Sequence, residues 1–80
     1  MTATSFVLIV TAPGFEHDVH SALREINEIE DVHALFGEYD IMAKVRGDNF
    51  GDIGEIVVDK IRTIEGVLDT KTLTGMKLSG

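Results

Sequence analysis

The 80-residue chain has no cysteine, so it can build neither a disulfide framework nor a thiolate nucleophile. It also lacks any run near the ~20 apolar residues of a membrane span. Its opening, Met1-Thr2-Ala3-Thr4-Ser5, has no basic segment of the kind that begins a signal peptide. The expected address is the cytoplasm, with no membrane partner. Basic residues are scarce: 7 Lys and Arg face 14 Asp and Glu, giving a net charge of −7. They are scattered singly at Arg24, Lys44, Arg46, Lys60, Arg62, Lys71 and Lys77. Phosphate-backbone binding relies on clustered cations that release counterions, so direct nucleic-acid binding is not expected. A G-x-S-x-G elbow and a three-ligand metal motif are missing too, which points away from an enzyme and from any metal or cofactor.

What the chain does have is apolar patterning, with 44% hydrophobic residues. A chain this short buries only ~60% of the surface exposed by its unfolded form, so self-association is an expected source of stability. The patterning occurs twice. An offset of 35 residues aligns Val10 with Val45, Phe15 with Phe50, Leu23 with Val58, Ile26 with Ile61, Ile29 with Ile64 and Val32 with Val67. Each half reads as strand, helix, strand.

Phe6 to Thr11 is a nearly continuous apolar strand, ended by Pro13-Gly14. From about Phe15, residues Val19, Ala22, Leu23, Ile26 and Ile29 recur at helical spacing. Val32, Ala34 and Phe36 then alternate as a strand, and Ile41, Ala43 and Val45 alternate as the next. Asp48 or Asn49 offers a side-chain oxygen to cap a second helix, whose apolar stripe is Ile53, Ile56, Val57, Ile61 and Ile64. Gly66 suits the stop of that helix, and Val67 to Met76 makes the fourth strand.

The order βαββαβ predicts an α+β, ferredoxin-like sandwich, with an antiparallel sheet and both helices on one face. Because the first strand is apolar at odd and even positions alike, its second face is expected to pack against the sheet of another copy.

Two segments carry a family resemblance: Gly37-Glu38-Tyr39-Asp40-Ile41 at a turn, and Ile64-Glu65-Gly66-Val67-Leu68-Asp69-Thr70-Lys71-Thr72 entering the last strand. Together they resemble the ligand-binding (effector) domain of Lrp/AsnC-type transcription regulators, over about residues 6–76 of a single domain spanning 1–80. The resemblance implies a homodimer formed through the sheet, higher rings such as an octamer, and an amino acid or similar effector bound between dimers. It also implies a stand-alone form without the helix-turn-helix domain, acting in transcription regulation or control of amino acid metabolism. Full-length Lrp/AsnC regulators are candidate partners. The alternative is a ligand-free assembly subunit that co-oligomerises with them.

Carried onto this sequence, the effector contacts fall on Ala34, Gly37, Tyr39 and Asp40, then on Thr72, Leu73, Thr74 and Gly75. A carboxylate suits an α-ammonium, while Thr hydroxyls and backbone N–H groups suit an α-carboxylate. Each residue also has an ordinary explanation, since Gly and Asp form turns and Thr is a common strand residue. His17 and His20, three apart beside Glu16 and Asp18, read as solvent-facing helix residues rather than metal ligands. Gly47, Gly51 and Gly54 sit among Asp48, Asp52 and Glu55 with no lysine, unlike a phosphate cradle.

Overall fold

A computed structural model describes residues 2–74. Its elements are β1 (Ala3–Thr11), α1 (Glu16–Arg24), β2 (Ile29–Ala34), β3 (Ile41–Gly47), α2 (Phe50–Ile56) and β4 (Val67–Thr74). A π-helical stretch over Val57–Ile61 continues α2. The strands form one sheet in the order β2-β3-β1-β4, antiparallel throughout. This is the ferredoxin-like arrangement, with α1 over β2 and β3 and α2 over β1 and β3.

Strand pleating sorts β1 into two sets. Val7 and Ile9 face the helices at 0% exposure, with Ala3, Ser5 and Thr11 buried beside them, while Phe6, Leu8 and Val10 on the other face are only half-buried. Ile41, Ala43 and Val45 of β3 join the same core, and Val19, Leu23, Ile53, Ile56, Val57 and Ile61 close it from the helices.

α1 is shorter than its apolar spacing predicts. Its last turn tightens, with the N–H groups of Glu25 and Ile26 donating to Ala22 and Leu23 at 3.2 and 3.1 Å, and that of Ile29 donating to Ile26 at 3.1 Å. These three-residue steps preserve the apolar spacing after the helix has ended, so Ile26 lies in the link and Ile29 opens β2. β2 in turn stops at Ala34, and Phe36 is fully exposed, not a strand residue, because the Leu35 N–H turns to the Asp40 carbonyl at 2.8 Å.

In the second half Asn49 caps α2, its Oδ1 accepting from the Asp52 N–H at 2.8 Å. The π stretch, closed by the Arg62 N–H to the Val57 carbonyl at 2.8 Å, widens the helix. Ile61 is thereby turned back onto the sheet beside Ile56 and Val57. Ile64 packs against the core from the turn beyond the helix. Gly66 does not end the helix. It sits at φ +100° just before β4, where a Cβ would come within 2.6 Å of the Phe15 Cβ, and its carbonyl accepts from the Ala12 N–H at 2.7 Å. The expected end of β4 at Met76 lies outside the described residues.

Candidate functional site

The turn between β2 and β3 is organised around Asp40. Its backbone carbonyl accepts from Leu35 at 2.8 Å, and its N–H donates to the Ile9 carbonyl at 2.9 Å. The β1–β3 ladder has its last partners at Ile9 and Ile41, which leaves the Thr11 N–H beyond the ladder's end. Asp40 Oδ2 accepts that N–H at 2.8 Å. One carboxylate oxygen is thus committed to holding the turn against β1, and the other is not. Gly37, at φ +144°, takes a backbone conformation that L side chains rarely adopt, and a Cβ there would meet nothing within 4 Å. The space over the turn is open, and Tyr39 beside it is half-buried.

The second predicted group lies elsewhere. Thr72 and Thr74 pair with Val7 and Ser5, on the helix side of the exposed part of β4, while Leu73 pairs with Phe6 and belongs to the opposite face. Gly75 is outside the described residues. β1 separates β4 from β3, and Thr72 stands level with Ala43. With strands ~4.8 Å apart and a rise of ~3.3 Å per residue, Asp40 is roughly 14 Å from Thr72 and roughly 19 Å from Thr74. One chain therefore does not bring the two predicted groups together.

Ala34 and Asp40 do meet something the sequence reading set aside. They wall a cleft of about 360 Å³ whose other side is α1, presenting Glu16, His17, His20, Ser21 and Arg24. His20 and Arg24 also line an adjoining cleft of about 370 Å³ along β2, at Ile29–Val32. His17, His20 and Arg24 follow an i, i+3, i+7 spacing that was legible in the sequence as one helical stripe flanking the buried Val19 and Leu23. Among the described residues no cluster of three or more His, Cys, Asp or Glu could hold a metal ion. Likewise, no described helix is long and apolar enough to cross a membrane.

On the other face of the sheet, Glu30 pairs with Arg46 and with Lys44 at 3.5 Å, and Asp31 pairs with His33 at 2.9 Å. Behind β2, Lys60 donates to Glu28 at 2.8 and 3.0 Å. That hydrogen bond, assisted by a backbone donor, holds the Glu28 carboxyl below its ordinary value of 4.5.

A four-stranded antiparallel sheet with both helices on one side and an apolar strand between its neighbours defines a ferredoxin-like domain. The chain belongs to the Lrp/AsnC ligand binding domain family, whose model matches residues 4–78. It is 38% identical over 73 residues to an uncharacterized HTH-type transcriptional regulator of Pyrococcus horikoshii, a match covering 88% of this chain and 49% of that protein. The chain thus spans about half the length of the curated relatives it matches. Among solved structures it resembles FFRP-DM1, with a TM-score of 0.87 and 32% identity over 92% of this chain and 99% of that one. The fold also matches the transcriptional regulator NMB0573 of Neisseria meningitidis, solved as an L-Met complex, with a TM-score of 0.85 and 19% identity, covering 94% of this chain and 50% of that one.

Proposed function

We propose that residues 1–80 act as a single effector-binding and oligomerisation domain in transcription regulation, binding a free amino acid between copies of the chain. The observation that carries this reading is the separation of the two groups. Ala34, Gly37, Tyr39 and Asp40 offer a carboxylate oxygen and open backbone, and Thr72, Leu73 and Thr74 offer hydroxyls and backbone, on strands too far apart for one ligand to span. A second copy supplies the missing half in each case. The relative crystallised with L-Met supports an amino acid as the ligand class. Its helix-turn-helix relatives support a role in transcription, in the cytoplasm and without catalysis.

In this reading the sheets of two copies pack face to face, and dimers assemble further into a ring such as an octamer. Full-length Lrp/AsnC regulators are candidate members of mixed rings. The ligand-free assembly reading draws support from one observation, the use of Asp40 Oδ2 to hold Thr11. Calorimetry across the amino acids separates the two. Asp40→Asn retains an acceptor for the Thr11 N–H while removing the charge, and is expected to weaken binding by about ten- to hundredfold, the worth of a hydrogen bond to an ionised group. If no amino acid binds wild type below millimolar concentration, or if the variant binds equally well, the effector site is lost and the assembly reading stands.

A further inference from the structure

α2 and its π-helical continuation have two unlike flanks. One faces the β2 side of the molecule: Asp52, Glu55 and Asp59 line a cleft there together with Glu28, and Lys60 reaches across to the Glu28 carboxylate. The other flank carries Phe50, Gly54 and Val58, one every four residues. α2 packs over β1 and β3, and the sheet order puts β4 beyond β1, on the side away from β2. This second flank therefore overlooks β4, whose helix-side residues Thr72 and Thr74 are left exposed.

Helix and strand together form a trough with an apolar wall and a threonine floor. Phe50 and Val58 are both exposed and stand ~12 Å apart along the helix axis. Between them lies a notch, since a Cβ at Gly54 would meet nothing within 4 Å. Glycine is the poorest helix former after proline, so helix propensity does not account for its place there. The chain also carries an apolar side chain without cover. Phe36, on the β2–β3 turn, is the most exposed of the described large apolar residues, and Leu35 beside it is exposed too. Within one chain the turn projects from β2 and β3 while the trough lies over β4, beyond β1. The charges of the two surfaces are complementary. Glu38 follows Phe36 on the turn, Arg62 lies four residues beyond Val58, and neither pairs with an opposite charge among the described residues.

We infer that the β2–β3 turn of one copy docks in the α2–β4 trough of another, with Phe36 in the Gly54 notch between Phe50 and Val58 and with Glu38 toward Arg62. The same contact carries Asp40 of the first copy toward Thr72 and Thr74 on the floor of the second, so the turn and the last strand meet around one ligand. This rests on the proposed joining of the two half-sites and names the surfaces that join. Knob and notch are different surfaces, so every copy can give one and receive the other, and contacts pass from one sheet-paired dimer to the next.

The test is sedimentation velocity of wild type, Phe36→Ala, Gly54→Gln and an equimolar mixture of the two variants. Phe36 is fully exposed, and Gln is favoured over Gly within a helix, so the circular dichroism of both variants should match wild type. Wild type should assemble beyond the dimer, and each variant alone should stop at twice the 8.7 kDa chain mass. The mixture should regain larger particles, because Phe36 of the Gly54→Gln copies can enter the notch kept by the Phe36→Ala copies. A variant that assembles as far as wild type, or a mixture that stays at the dimer, overturns the inference while the assembly reading stands. A wild type that stops at the dimer removes both.

Discussion

The two faces of β1 are built from the same kind of residue and meet different fates. Val7 and Ile9 vanish beneath the helices, whereas Phe6, Leu8 and Val10, interleaved between them, are left half-buried. Met42 and Leu73 extend this second apolar surface on the flanking strands, next to Lys44 and Lys71. The helices can cover only one side of a four-stranded sheet, which leaves the apolar side chains on the other side to the second copy of the proposed assembly. One face is a core, and the other is, in the proposed assembly, the half of a core that a second copy completes.

Substitutions along this strand sharpen the contrast. Ile9→Ala removes a fully buried side chain from the helix face and should cost about 2 to 5 kcal/mol, read as a lowered denaturant midpoint. Leu8→Lys, one residue away on the other face, should leave the circular dichroism spectrum intact and split the oligomer, since a lysine buried between sheets has no partner for its charge. If instead Leu8→Lys unfolds the chain while Ile9→Ala is tolerated, the two faces have been assigned the wrong way round. The smallest effect belongs to Ser5→Ala. Ser5 is 1% exposed on the helix face and its hydroxyl finds no hydrogen-bond partner, so removing the hydroxyl should raise stability by up to ~1 kcal/mol, seen as a melting point a few degrees higher.

Much of this contrast was legible in the sequence. Apolar residues at odd and even positions from Phe6 to Val10 announce a strand needed on both faces, and the 35-residue repeat gives both helices and all four strands. The errors came where local spacing outlived the element that produced it. Ile26 and Ile29 keep a helical rhythm through tight turns, and Phe36 continues an alternation that Asp40 has already cut short by drawing Leu35 into the turn. A cap at Asp48 or Asn49 was visible because a cap's partner is three residues away, and the structure uses Asn49. The bond from Thr11 to Asp40 spans 29 residues, and only the strand register reveals it.

The candidate site was legible in pieces. The turn residues were proposed from the Gly37-Glu38-Tyr39-Asp40 motif, but their distance from Thr72 and Thr74 depends on β1 lying between β3 and β4. The α1 stripe of His17, His20 and Arg24 was visible as spacing, yet nothing local shows that it faces Asp40 across a cleft, because α1 meets β2 and the turn only in the folded chain.

The proposed pairing of the free face and the proposed joining of the two half-sites both require more than one copy of the chain. Light scattering of the wild-type protein at micromolar concentration tests this most directly. The account predicts a particle of at least twice the 8.7 kDa chain mass, and a particle of 8.7 kDa would contradict it, leaving Phe6, Leu8 and Val10 in water and Asp40 and Thr72 with no second copy to join them.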